Sequence, residues 1–239
     1  MTSVLLLIDA QNDFCDPRGA LCVPGAAEDM RRLSQRIRNG EFDAVVYTLD
    51  THDRRAIFHP SWFEDEFGRF PAPFTTIRAE DVETRRWRPR YFPQQTLDYL
   101  RALKASHTIW PEHCIAGTWG HGLFPVVAEA LQTVSYVRHV IKGVYPLSEH
   151  YGVFEAEVVS VPETRFNDAL ADELTSYDRV YFAGEARSHC VAASLRQWLT
   201  HRPEAASKTY VLTDCTSDVP GFNADEVYRQ AAAMGVGLV

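Results

Sequence analysis

The sequence lacks any CxxC pair, and its five cysteines, Cys15, Cys22, Cys114, Cys190 and Cys215, are odd in number and scattered. Neither a zinc ribbon nor a thioredoxin-like motif is therefore present, and free thiols in a reducing cytoplasm are the simplest reading. Long apolar runs are also missing. None approaches the roughly 20 residues needed to cross a bilayer, so no membrane partner is expected. The opening Met-Thr-Ser-Val-Leu-Leu-Leu-Ile-Asp is too short, and meets a charge too soon, for a signal peptide. Positive charge is scarce: 24 Lys and Arg face 32 Asp and Glu, for a formal net charge of −8. That balance argues against a general nucleic-acid binder. What remains is ordinary for a globular protein, with 46% hydrophobic and 23% charged residues over 239 positions, which excludes disorder and collagen-like structure. The length suits one α/β domain and is enough to bury a sizeable core.

Short apolar, β-branched runs alternate with helical patterns. Val4 to Asp9, Ala44 to Asp50, Val134 to Ile141, Val180 to Ala183 and Tyr210 to Asp214 read as strands, the first two and the last ending in a carboxylate. Near-continuous hydrophobic strands are expected where a parallel sheet is covered on both faces. Between them, Ala26 to Arg38, Leu123 to Leu131, Asn167 to Leu174, Cys190 to Leu199 and Ala224 to Met234 carry apolar residues at helical spacing. Ser188 reads as the N-cap of the fourth of these helices and Gly235 as the stop of the last. Repeated alternation implies βαβ units and a three-layer α/β/α fold around a mostly parallel sheet.

One stretch does not fit. Phe63 to Ile109 is long and proline-rich, contains Arg85-Arg86-Trp87-Arg88-Pro89-Arg90, and ends in an amphipathic piece through Leu97, Leu100 and Leu103. It reads as an irregular insertion on the rim of a single domain spanning 1–239, either a lid or an oligomer contact. In an acidic protein its basic cluster reads as a solvated surface rather than a nucleic-acid site.

Ligands of open α/β sheets bind outside the carboxyl ends of the strands. Asp9, Asp50, Lys142 and the segment Gly184 to Cys190 all fall there, aiming carboxylates, an ammonium and a thiol at one crevice. Cys190 follows a strand-to-helix turn. A helix start favours negative charge and lowers a thiol pKa from about 8.5, and the turn offers N–H groups to an oxyanion. From position alone the thiol is equally a buried structural cysteine. Asp50-x-His52, His59 and His113 form a second cluster, whose donors suit zinc, iron or manganese. His107, His121, His139, His150 and His201 have no such company and read as surface or packing residues.

These residues match a family. Asp9-Ala10-Gln11-Asn12-Asp13-Phe14-Cys15 resembles the opening motif of nicotinamidases, within the isochorismatase-like cysteine hydrolase superfamily. Asp50-Thr51-His52 resembles their metal motif, and Trp110-Pro111-Glu112-His113-Cys114-Ile115-Ala116-Gly117-Thr118 is similar to their Trp-Pro-x-His-Cys-x-x-Gly-Thr. Lys142-Gly143, Tyr151-Gly152-Val153-Phe154 and the Ala186 to Val191 turn follow in order. The resemblance implies a catalytic triad of Asp9, Lys142 and Cys190, and an oxyanion hole from the N–H groups of Ala186 and Cys190 beside a cis Glu185–Ala186 bond. It implies one divalent metal ion on Asp50, His52 and His113, with His59 as a fourth ligand on a less regular spacing. Phe14 and Trp110 would sandwich a pyridine ring, although outside the motif both read as core aromatics. The implied activity is hydrolysis of nicotinamide to nicotinate and ammonia for NAD salvage, in a cytoplasmic homo-oligomer. Glu185 and Arg187-Ser188-His189 depart from the family's usual residues, which leaves another small carboxamide as an alternative substrate. A non-catalytic ligand-binding protein on the same fold is the rival from another class.

Overall fold

The computed structural model describes residues 1–239. In chain order its elements are β1 (Ser3–Ile8), α1 (Asn12–Cys15), α2 (Ala26–Arg38), β2 (Ala44–Asp50), β3 (Phe63–Glu64), β4 (Thr76–Ile77), α3 (Ala79–Glu83), β5 (Arg88–Pro89) and α4 (Pro93–Ala102). These are followed by β6 (His107–Thr108), α5 (Pro125–Leu131), β7 (Tyr136–Lys142), α6 (Asp168–Thr175), β8 (Arg179–Gly184), α7 (Ala192–His201), β9 (Thr209–Val211), α8 (Asp225–Ala233) and β10 (Gly237–Leu238).

Six strands form one sheet in the spatial order β10-β9-β8-β1-β2-β7, with every pairing parallel. The run Val4 to Ile8 is apolar throughout because both its faces are covered. Val4, Leu6 and Ile8 pack with Leu170 and Leu174 of α6, Leu195 and Trp198 of α7 and Tyr228 of α8. Leu5 and Leu7 point the other way, onto Met30, Leu33 and Ile37 of α2 and Val127 of α5. Each such side chain contributes roughly 1.5–3 kcal/mol on full burial. The three-layer α/β/α arrangement expected from the alternation is the observed one.

The chain runs β1, β2, β7 in one direction across the sheet, then returns to lay β8 on the other side of β1. The carboxyl ends of β1 and β8 therefore flank the point where strand order reverses, the place where such sheets open a crevice. Gly184 closes β8 at φ +116, and an added Cβ there would stand 2.0 Å from the Ile8 carbonyl oxygen. Only glycine lets the two strand ends meet this closely.

Most element boundaries follow the sequence reading, and two shifts matter. β7 starts at Tyr136 rather than Val134 and runs on to Lys142, which pairs with Asp50 across the sheet. The helix expected from Cys190 begins instead at Ala192, after a π-helical turn over Arg187–Val191. Ser188 does not cap it. The Ser188 hydroxyl accepts the Val219 N–H at 3.0 Å and lies 2.9 Å from His189 Nδ1.

The Phe63–Ile109 segment is not irregular. It holds two small antiparallel pairs, β3 with β5 and β4 with β6, together with α3 and α4. A separate apolar cluster runs through it: Phe58, Trp62, Phe63, Ile77, Tyr99, Leu100, Ile109 and Trp110. The Trp62 indole N–H donates to Thr96 Oγ1 at 3.0 Å, tying the first part of the lobe to α4. Arg86 pairs with Asp81, and Arg88 and Arg90 both reach Glu64, so local carboxylates offset this basic cluster.

Candidate active site

Asp9 leaves β1 with φ +48, a left-handed conformation that a non-glycine residue adopts only at a cost. Its surroundings hold it there. The Asp9 N–H donates to Thr48 Oγ1 at 2.9 Å, and the Thr48 hydroxyl donates back to Asp9 Oδ1. Gln11 bridges the ends of β1 and β2: its Nε2 donates to the Asp50 carbonyl and its Oε1 accepts the Asp50 N–H, both at 2.8 Å.

Lys142 enters from β7 and is buried with its charge. Its Nζ stands 2.9 Å from Asp9 Oδ2, 2.8 Å from Asp50 Oδ1, 3.0 Å from the His150 carbonyl and 3.7 Å from Cys190 Sγ. The contact with Asp9 lies off the hydrogen-bonding directions, so Oδ2 has no aligned donor and keeps a lone pair for a thiol proton. Burial opposes the ammonium's charge, but Asp50 and Asp9 overcome it and hold the Lys142 pKa well above its usual value. Burial likewise raises the Asp9 pKa, with Lys142 opposing.

Cys190 joins Asp9 and Lys142 from the π turn. The expectation of a thiol acidified by a helix start is corrected here. α7 begins two residues later, and burial pushes the Cys190 thiol well above its ordinary range despite Lys142. The resting form is the thiol, and a base must take its proton. The Glu185–Ala186 bond is cis. In the turn, the Arg187 N–H goes to the Ser217 carbonyl and those of His189 and Val191 to the Ala186 carbonyl, leaving the Ala186 N–H without a protein acceptor.

Asp50, His52 and His113 present ligand atoms that all lie within 4.8 Å of one another. Their second contacts fit a metal. His52 Nδ1 lies 3.0 Å from the Gly143 carbonyl, His113 Nδ1 2.8 Å from that of Pro111, and His59 Nδ1 3.2 Å from that of Arg54. Each Nδ1 thus faces a backbone carbonyl and each Nε2 turns to the cluster, that of His52 lying 2.8 Å from Asp50 Oδ2, the usual outer arrangement of a metal-binding histidine. The His52, His59 and His113 rings face one another with centroids 4.9–5.8 Å apart. His59 Nε2 is buried with no partner at all. Burial, with His113 and His52 nearby, lowers its pKa to about 3, so the ring is neutral. His59 lies outside the group of three whose ligand atoms fall within 4.8 Å, and its orphaned, neutral imidazole borders that group. Gly143 makes room for the set: at φ +78, an added Cβ would meet His52 Cε1 at 2.6 Å and Asp50 Oδ1 at 2.8 Å.

Phe14, Trp110, Tyr151, His189, Glu149 and Val219 wall a pocket that also reaches Asp50, His113, Ala186 and Cys190. Its side chains leave a narrow aromatic slot above Cys190. Trp110 is held by its N–H to Tyr151 Oη at 3.1 Å and packs edge-on to His189. A larger open groove of about 640 Å³ lies beside His52, Arg54 and Arg55, but none of Asp9, Lys142 and Cys190 lines it.

The structure thus brings together every site residue expected from the sequence. The sequence reading missed Thr48, Glu149, Tyr151 and His189 as parts of the site. Tyr151 stood in a quoted motif without a role, and Thr48 sits mid-strand with no signal. Glu149 is buried, with Oε2 unpartnered, and burial raises its pKa to about 7.

No family model matches the chain. The chain is 28% identical to the nicotinamidase of Saccharomyces cerevisiae over 217 residues, covering 90% of this chain and 88% of the yeast protein. With the nicotinamidase of Acinetobacter baylyi it shares 27% over 237 residues, 97% of this chain and 89% of the relative. The fold matches the crystal structure of the yeast enzyme bound to the inhibitor nicotinaldehyde, with a TM-score of 0.70, 23% identity and coverage of 100% and 99%. It also matches a pyrazinamidase of Pyrococcus horikoshii in complex with zinc, with a TM-score of 0.60, 20% identity and the same coverage. Over nearly its whole length the chain is thus similar to nicotinamidases, and its fold is the one found in their solved structures.

Proposed function

We propose that the protein hydrolyses nicotinamide to nicotinate and ammonia through a thioester on Cys190. One observation carries this reading. A carboxylate, an ammonium and a thiol from three separate strand ends meet within hydrogen-bonding reach, on the floor of an aromatic slot. A binding module needs no such set.

The chemistry follows from the distances. Asp9 Oδ2 takes the Cys190 proton as sulfur attacks the amide carbon. Lys142 neutralises the charge that remains, since a thiolate and a second carboxylate would otherwise be like charges in a poorly solvated site. The Ala186 N–H receives the developing oxyanion, and loss of one such donor costs on the order of 10²–10³ in rate. The Asp9 proton then passes to the departing ammonia. Water, deprotonated by Asp9, attacks the thioester and releases the acid and Cys190. Asp50, His52 and His113, with His59 as a fourth donor, would hold one divalent ion of zinc, iron or manganese, which would supply positive charge for orienting a ring nitrogen. Phe14 and Trp110 hold the two ring faces.

The product is a precursor for NAD salvage, and the five unpaired thiols suit a cytoplasmic location. His189 against Trp110 gives this slot a wall that also suits another small aromatic carboxamide, the second reading. Ammonia release from nicotinamide and a panel of small amides by metal-assayed protein tests both. Turnover lost on chelation and in Cys190→Ala is the expected result. Substantial release by Cys190→Ala sinks the nucleophile assignment, and activity confined to another amide moves the substrate.

A further inference from the structure

The reaction above does not use the carboxyl group just before its oxyanion donor. Glu185 is 0% exposed. Its Oε2 accepts the Ser217 N–H at 3.3 Å, and its Oε1 is buried with no donor on it. The Ser217 hydroxyl donates to Asp29 Oδ2 at 2.5 Å. Two carboxyl groups, one from the end of β8 and one from α2, therefore close on the two donors of one serine. Glu185 thus has one long N–H bond and no cation on it. A carboxyl group so placed out of water, with a second carboxyl group on the same serine, is held as the neutral acid. Asp29, by contrast, has Arg32 on its Oδ1 as counter-ion.

The other groups facing Glu185 do not reverse this. They are Asp218, itself paired with Arg187, the Cys15 and Cys22 thiols, and Tyr228 on α8. Burial first and Asp29 second push the acid well above the usual carboxylate range. The backbone is tied along the same line: the Gly184 N–H donates to the Cys215 carbonyl at 3.0 Å and the Arg187 N–H to the Ser217 carbonyl at 2.8 Å.

We propose that Glu185 is a positioning residue, a neutral acid that, through Ser217 and with Asp29 on the same serine, pins the turn carrying Ala186 and Cys190 to α2 and the 215–218 segment. The role rests on the amide-hydrolysis reading of that turn. Loss of the proton leaves a carboxylate out of water with no counter-ion and with Asp29 across the same serine, and the turn must give way. The rate then falls on the alkaline side.

Three variants and a spectrum test this. Glu185→Gln keeps the contact with the Ser217 N–H without a titrating group. It keeps kcat within about threefold at neutral pH and extends the alkaline limb of the kcat profile upward. Asp29→Asn removes the charge that holds the proton on Glu185, so its alkaline limb moves down in pH. Glu185→Leu leaves the Ser217 N–H unpaired and lowers kcat by roughly tenfold or more at every pH. Opposite shifts in the first two variants support the proposal. Unmoved limbs, or equal losses at all pH in both, overturn it. Infrared spectroscopy of the resting protein at neutral pH supplies a readout free of turnover. A protonated carboxyl band lost in Glu185→Gln is expected, and its absence overturns the proposal. The band with no ammonia release from any amide instead overturns the hydrolytic reading and leaves the buried neutral acid standing.

Discussion

Replacing Lys142 by methionine isolates what the buried ammonium does. The side chain is 1% exposed and stands between two carboxylates, 2.9 Å from Asp9 and 2.8 Å from Asp50. Methionine fills similar space, so packing changes little and charge changes by one. Removing one partner of a buried ion pair costs roughly 3–5 kcal/mol, because the charge left behind has neither water nor a counter-ion. For a chain of 239 residues each kcal/mol moves the melting temperature by about 2–4 °C, which gives a loss of roughly 6–20 °C. The assay is thermal unfolding with a chelator present, so that no bound cation takes the ammonium's place. A double-mutant cycle separates charge from shape. Asp9→Asn lowers the melting temperature of the parent, where it breaks the pair. In Lys142→Met it raises it, because it removes a carboxylate that nothing balances. If Asp9→Asn instead destabilises both backgrounds equally, charge compensation at this site is refuted.

His107 gives a pH dependence away from the reaction. It is buried, its Nε2–H donates to the Ile57 carbonyl at 3.0 Å, and burial lowers its pKa from 6.5 to about 4. The unfolded chain binds the proton first as pH falls, so this contribution is complete above pH 6.5 and is lost between 6.5 and about 4. Denaturant unfolding across that window should show roughly 3 kcal/mol attributable to this group, and His107→Asn should flatten it. Gly143→Ala forces a Cβ onto His52 and Asp50, so equilibrium dialysis should show divalent-metal affinity falling by about 10–100-fold, with the fold retained. Unchanged affinity would refute the crowding argument. Trp62→Ala empties the centre of the 63–109 lobe. It should cost about 3–5 kcal/mol in chemical denaturation, whereas a loss near zero would mean that the lobe has no packed core.

Much of the site was legible in the sequence because its residues sit where strands end. A run such as Val4 to Asp9 announces a doubly covered strand by its lack of alternation, and its terminal carboxylate must lie at the sheet's carboxyl edge. The same logic placed Asp50, and the motif order carried Lys142, His113 and Cys190. The Phe63–Ile109 segment was not legible. Its strands are two residues long, and its core forms from contacts between distant positions, Trp62 with Thr96 and Phe63 with His107, which no local periodicity reports.

By itself the sequence determined the fold class, through residue type and local spacing, and its family resemblance named the side chains that the structure gathers at one site. Protonation states were decided by tertiary structure alone. A cysteine beside a helix reads as acidic until burial is known, and burial raises Cys190 rather than lowering it. Glu185 reads as a charge until Asp29, far away in the chain, is folded against it. Both effects depend on exclusion of water and on neighbours across the sheet, and neither quantity exists before the chain has closed.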